Sequence, residues 1–225
     1  MWPTTPSQLI ETQRELAAAT GTPWRPQARR PLVAACFACF ARGASGRGAV
    51  GEPGWAAAAL MHADRHLLAD AVVRGPAGFA YEPGLMALRE GRLLEAAVRA
   101  LPGEPEVVIV NATGRDHPRR AGLALHLGAV LAIPTLGVTD RPLLAAGDSP
   151  PPEHGATSAL LLDGEEVARW LRTRAAARPI VVHPGWRTDL DTAVTVVLAA
   201  TRRARTPEPL RRAREHARRA RAADT

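Results

Sequence analysis

No stretch of this sequence approaches the roughly eighteen consecutive apolar residues of a membrane-spanning helix. The opening Met1-Trp2-Pro3 leads into polar sequence without the pattern of a signal peptide, so a cytoplasmic protein is expected. Cysteine is nearly absent. Cys36 and Cys39 form a lone C-x-x-C inside an apparent strand, with no second pair to complete a metal site. Residues three apart in a strand point to opposite faces about 10 Å apart, too far for a disulfide, so two buried small side chains in a reducing compartment are expected. Aromatic residues are scarce at 4%, but the hydrophobic fraction of 46% suffices for a sizeable core. Acidic residues are missing from one place of consequence, since no Asp or Glu occurs between Arg30 and Val50. No internal repeat is evident.

The length of 225 residues is compatible with one α/β domain, taken here as 1–225. The formal net charge of +7 points toward an anionic partner, although the chain is rich in Arg, Ala, Gly and Pro throughout. Its organising stretch runs from Glu106 to Leu143. Val107 to Val110 is short, β-branched and preceded by Pro-Gly-Glu-Pro, the pattern of a buried strand. Asn111 stands at its carboxyl end. A Gly-containing turn leads to His117-Pro118, and Ala121, Leu123, Ala124, Leu127 and Val130 then recur at helical spacing. The spacing predicts a helix that begins at Pro118, with Asp116 as its cap. Ile133 to Val138 reads as a second buried strand. Strand, helix and strand within about thirty residues make a βαβ unit with parallel strands. Ligands of such sheets sit beyond the carboxyl ends of the strands, which directs attention to Asn111, His117 and the corner from Gly137 to Asp140.

Elsewhere the periodicity predicts helices over 8–18, 85–101, 190–203 and about 207–222, the last strongly basic. Strands are expected over 31–40, 55–63, 67–73 and 180–182, with a turn at Asp64-Arg65 and a hairpin of 158–162 and 167–172 around Asp163-Gly164. Residues 41–54 read as a mobile loop and 141–157 as a long irregular segment. His126 is expected to be a hydrogen-bonded core histidine. The tail from Thr201 carries nine arginines, among them Arg211, Arg212, Arg214, Arg218 and Arg219, as a basic helix able to meet phosphate.

The run HPRRAGLALHLGAVLAIPTLGVT resembles the endonuclease V family, which shares HPR-x-x-G-x-A-x-H-x-G and IPT-x-GV. Tyr81-Glu82-Pro83-Gly84 through Gly91 is similar to that family's YIPG-L-x-A-F-REG, and Pro184-Gly185 with Asp189 and Pro207-Glu208-Pro209 with Arg211 follow in family order. The resemblance implies a ribonuclease H-like fold, an α/β architecture with a mixed sheet. A three-strand antiparallel meander comes first, then parallel strands and flanking helices. It implies a DNA-repair nuclease that uses Mg²⁺ to cut a DNA or RNA strand near deaminated purines, chiefly inosine. Nucleic acid is then the partner, and no membrane is involved.

The family's catalytic positions fall at Phe37, Glu90 and Asn111, with His117 beside them at the strand-end crevice. Only Glu90 is a carboxylate, which makes it the metal-ligand candidate. Phe37 replaces the first-strand aspartate, Asn111 an aspartate, Asp140 a lysine and Trp186 a histidine. Tyr81, Pro83 and Gly84 match a strand-separating wedge, in which Glu82 replaces an isoleucine. Ala112 and Gly137 match a tight base pocket, and Arg89 and Arg119 are further candidates for contacting nucleic acid. The resemblance therefore implies a nucleic-acid-binding protein whose Mg²⁺ is weakly held or absent, a pseudoenzyme in which cleavage is lost or nearly so. The alternative is an active endonuclease with a rearranged site that combines Glu90 with Asp116 and Asp140.

Overall fold

The computed structural model describes residues 1–19, 21–27, 31–41, 48–62 and 67–224. Its elements, in chain order, are α1 (Pro6–Ala18), β1 (Leu32–Phe40), β2 (Pro53–His62), β3 (Leu67–Pro76), α2 (Met86–Arg99), β4 (Val107–Val110), α3 (Leu123–Leu131), β5 (Thr135–Thr139), β6 (Thr157–Leu162), β7 (Glu165–Leu171), β8 (Ile180–Pro184), α4 (Leu190–Ala199) and α5 (Glu208–Ala223). The eight strands form one sheet in the order β3-β2-β1-β4-β5-β8-β7-β6. β1, β2 and β3 are the expected antiparallel meander. β4 runs parallel to β1, and β5 parallel to β4. β8, β7 and β6 then continue antiparallel. This is the mixed α/β sheet with flanking helices expected of a ribonuclease H-like chain. The turn anticipated at Asp64-Arg65 and residues 42–47 of the loop anticipated over 41–54 lie outside the described residues, and the end of that expected loop, from Pro53, is already part of β2.

Side chains of a strand alternate between its faces, and β1 shows how this divides the core. Ala34 and Cys36 join Leu88, Leu94, Leu123 and Leu127 beneath α1, α2 and α3. Val33 and Ala35 join Leu136, Val196, Val197 and Leu210 beneath α4 and α5, with Phe37 packed against this second cluster. The two cysteines are free and buried on opposite faces, as their spacing required. Ala56 to Ala59 of β2 are fully buried. Their small side chains let α2 and α5 pack on opposite faces of the same strand.

Three expectations are corrected by the tertiary structure. The helix anticipated from Pro118 starts at Leu123. Asp116 does not cap it; its carboxylate accepts the backbone N–H groups of Leu143, Leu144 and Ala145 at 2.7, 2.9 and 2.9 Å. Arg120 is left-handed (φ 56) and reaches away to Leu162 O, Asp163 and Glu165, which no continuing helix allows. The stretch 201–206 is not helical, so α4 ends at Ala199. The basic helix expected over about 207–222 is α5, which buries Leu210, Ala213 and Ala217 against the sheet. His126 is buried as expected but stacks on Trp2, with ring centroids 4.5 Å apart, and its Nδ1 has no hydrogen-bond partner among the described residues. Asp116 and Arg172 together hold the irregular 141–157 segment, since Arg172 donates to the carbonyls of Pro150, Pro151 and Ala177.

Candidate nucleic-acid interface at the strand ends

The parallel strands β1, β4 and β5 direct their carboxyl ends to the same edge of the sheet. The chain there leaves the sheet through Asn111 and Asp140, and two adjoining cavities open beside it. The first, about 260 Å³, is lined by Tyr81, Pro83, Gly84, Glu90, Asn111, Ala112 and His117, together with Gln13 and Leu143. The second, about 490 Å³, is lined by Phe37, Asp140, Arg141, Arg214 and Arg218. Tyr81, Asn111, Thr113, Thr139 and Leu143 line both, so the two spaces share a wall.

The loop from Tyr81 to Gly84 is fixed from below. Gly84 is left-handed (φ 80), a conformation that glycine adopts without strain. Its carbonyl accepts from Arg119 Nη2 at 2.9 Å and from Gln13 Nε2 at 3.3 Å, and His117 Nε2 lies 3.3 Å away. The Arg119 backbone N–H donates to His117 Nδ1 at 3.2 Å, so the neutral ring carries its proton on Nε2. Burial, reinforced by the Arg119 charge, lowers the His117 pKa to about 4. His117 is therefore neutral at pH 7, with both nitrogens used inside the protein. Gln13 was legible in the sequence only as part of an amphipathic helix. In the fold it is buried and also accepts from Arg119 Nε at 2.5 Å. Tyr81 remains exposed above this frame.

Glu90 projects from α2 into the first cavity, beside Cys36. It has no hydrogen-bond or ion-pair partner among the described residues, and burial raises its pKa from 4.5 to about 7, opposed by Arg89. Protonation therefore stabilises the fold. The contribution is complete below about pH 4.5 and is lost as pH rises through 7, and the shift corresponds to on the order of 3 kcal/mol. Glu90→Gln is expected to be more thermostable than the parent above pH 7 and to match it near pH 4.5. Melting curves across this range check the sign.

Asn111 does not present a free carbonyl oxygen to the cavity. Arg214 of α5 donates Nη2 to Asn111 Oδ1. The Arg214 guanidinium lies 5.7 Å from the Phe37 ring centroid, and that of Arg218 lies 5.5 Å away. Sequence reading placed Arg214 only within a generally basic stretch; no local signal shows that α5 folds back over β1. Asp140 is paired with Arg205.

The Endonuclease V family profile matches residues 32–215. The chain is 41% identical to an endonuclease V of Streptomyces avermitilis over 165 residues, which span 73% of this chain and 72% of that one. It is 35% identical to one of Gloeobacter violaceus, covering 96% of this chain and 86% of that one. The crystal structure of endonuclease V from Streptomyces avermitilis superposes with a TM-score of 0.87 at 34% identity, over 100% of this chain and 96% of that one. An endonuclease V of Ciona intestinalis in complex with DNA containing an inosine shares the fold, with a TM-score of 0.78 at 20% identity over 98% and 100% of the two chains.

This chain belongs to the endonuclease V family.

The metal position that the resemblance implies falls at Phe37, Glu90 and Asn111, and the residues present there do not fit a divalent cation. Magnesium is held by anionic oxygens and keeps its waters reluctantly. Phe37 offers no ligand atom, Asn111 Oδ1 is taken by a guanidinium, and Glu90 is the only carboxylate among the described residues that lines the first cavity. No group of three or more His, Cys, Asp or Glu able to hold a metal exists among the described residues. The rearranged site is not assembled either. Asp116 is consumed by three backbone N–H groups and Asp140 by Arg205. Asp189 caps α4 and pairs with Arg25, and Asp191 pairs with Arg169.

Three other sequence candidates lie elsewhere than expected. Arg89 is turned inward and buried, bound to Glu52 and the Phe79 carbonyl, with its guanidinium 4.1 Å from the Phe40 ring centroid. Gly137 lines neither cavity; its missing side chain lets the β5 backbone approach the Ala112 carbonyl. Trp186 sits at the opposite end of β5, where its backbone exchanges hydrogen bonds with Thr135. Because β8 runs antiparallel to β5, the position where the family has histidine lies away from the strand-end cavities.

Proposed function

We propose that this endonuclease V family member binds inosine-containing nucleic acid through the strand-end crevice and has lost all but slight metal-dependent cleavage. The observation that carries this reading is the Arg214 guanidinium seated on Asn111 and over Phe37, where a catalytic cation requires carboxylates. The rigid loop Tyr81–Gly84 supports the binding half. An exposed aromatic ring on a fixed loop stacks on a base, and the 260 Å³ cavity beneath it is of a size for one base. The DNA-bound Ciona relative shares this fold. No helix among the described residues is long and apolar enough to cross a membrane.

The test scores binding and cleavage separately on inosine-containing and inosine-free DNA and RNA strands, with and without Mg²⁺ or Mn²⁺. Salt-sensitive binding that favours inosine, without product, is the expected result. Metal-dependent cleavage at the rate of an ordinary nuclease, abolished by Glu90→Ala, would falsify the loss of catalysis.

A further inference from the structure

We propose that Arg214 and Arg218, seated over the Phe37 ring, form a resident cationic site that takes a phosphate group of the bound strand directly, without a bridging metal ion. The proposal rests on the nucleic-acid reading of this crevice and names the group that the larger cavity receives.

Arg214 and Arg218 are four residues apart on α5 and share one face. Like charges at this spacing repel each other on a helix. Both nevertheless converge on one ring, at 5.7 and 5.5 Å from its centroid, and line the same 490 Å³ cavity. Attraction to the face of Phe37 fixes where the guanidiniums sit but does not neutralise them. Neither guanidinium has a carboxylate ion-pair partner among the described residues. Asp140 is the only carboxylate among the described residues that lines this cavity; its charge also reaches Arg214, but it is directly paired with Arg205, which leaves one carboxylate against three guanidiniums. Arg214 spends one donor on the neutral Asn111, and its Nε is buried without a hydrogen-bond partner. Arg141, which lines the same cavity, adds a further positive charge. The cavity thus holds an unbalanced cationic pair with unspent donors, and guanidinium forks match phosphate oxygens two at a time. Its walls at Tyr81, Asn111 and Thr113 are shared with the base-sized cavity, so a phosphate here and a base there belong to one strand. A guanidinium has taken the place of a metal as the positive partner of the phosphate.

The experiment measures binding of the full-length protein to an inosine-containing single strand by fluorescence anisotropy, in excess EDTA and over a range of salt. Affinity is expected to be the same with EDTA as with Mg²⁺. Arg218→Gln should flatten the plot of log affinity against log salt by about 0.7 per lost phosphate contact. Arg214→Gln with Arg218→Gln should weaken binding by roughly tenfold or more. Arg219→Gln makes the same charge change on the same helix, but this residue is exposed and paired with Glu215, so its slope should stay closer to the parent's. Parental affinity in the double variant, or binding that requires Mg²⁺, overturns the proposal. A parallel arm measures thermal stabilisation by inorganic phosphate, with each variant's own melting temperature as its folding control. Phosphate stabilisation lost only in the double variant, without strand binding, sustains the anion site and removes the nucleic-acid reading. Absence of both removes the site itself.

Discussion

Converting Phe37 and Asn111 together to aspartate is expected to leave the protein without a usable magnesium site until Arg214 is also removed. Aspartate at these positions supplies the two missing anionic oxygens and, with Glu90, gives three carboxylates at the strand ends. The Arg214 guanidinium already contacts residue 111 and lies over residue 37, so it will pair with the new carboxylates before any ion does. Two unit charges 4 Å apart interact by about 4 kcal/mol at an effective dielectric constant of 20, and a divalent ion would feel twice that repulsion from the same guanidinium. The double variant should therefore bind Mg²⁺ no more tightly than the parent. Addition of Arg214→Ala should then raise the affinity by at least about tenfold, the scale on which single groups around metal sites act. Calorimetric titration with Mg²⁺ and Mn²⁺ checks both steps. A double variant that binds metal as well as the triple variant would show that Arg214 does not block the site. Arg218 remains nearby in all variants, so restored binding need not bring full cleavage.

The largest stability effect is expected at Asp116. Its carboxylate is fully buried and accepts three consecutive backbone N–H groups, from Leu143 to Ala145. Asp116→Ala strands those donors, each at a cost of about 1–3 kcal/mol if it stays buried. Relaxation of the segment toward water offsets part of this, leaving an expected loss of about 3–5 kcal/mol. For a chain of this length that is roughly 6–20 °C in melting temperature. Asp116→Asn should fall between, because its oxygen still accepts while its amide faces another donor. Leu143 lines both strand-end cavities, so the same variants should weaken strand binding even where they remain folded. A melting temperature within about 2 °C of the parent for Asp116→Ala would show that the three hydrogen bonds contribute little.

The sequence by itself determined the family, the mixed sheet with its opening meander, the position of Asn111 at a strand end, and the opposite facing of Cys36 and Cys39. These follow from local rules: alternation along a strand, helical spacing of apolar residues, and motifs whose members lie within a few positions of one another. It also showed that carboxylates are missing at Phe37 and Asn111. Tertiary structure alone decided what fills their place. Arg214 is 103 residues from Asn111, and only the packing of α5 across β1 brings them together. The same distance effect turned Asp116 from an apparent helix cap into an anchor for 143–145. It gave Gln13 a role at the Gly84 carbonyl and moved Trp186 to the far end of β5. A hydrogen-bonding or charged side chain takes whichever partner the fold brings within about 3 Å, and no periodicity in the chain records that partner.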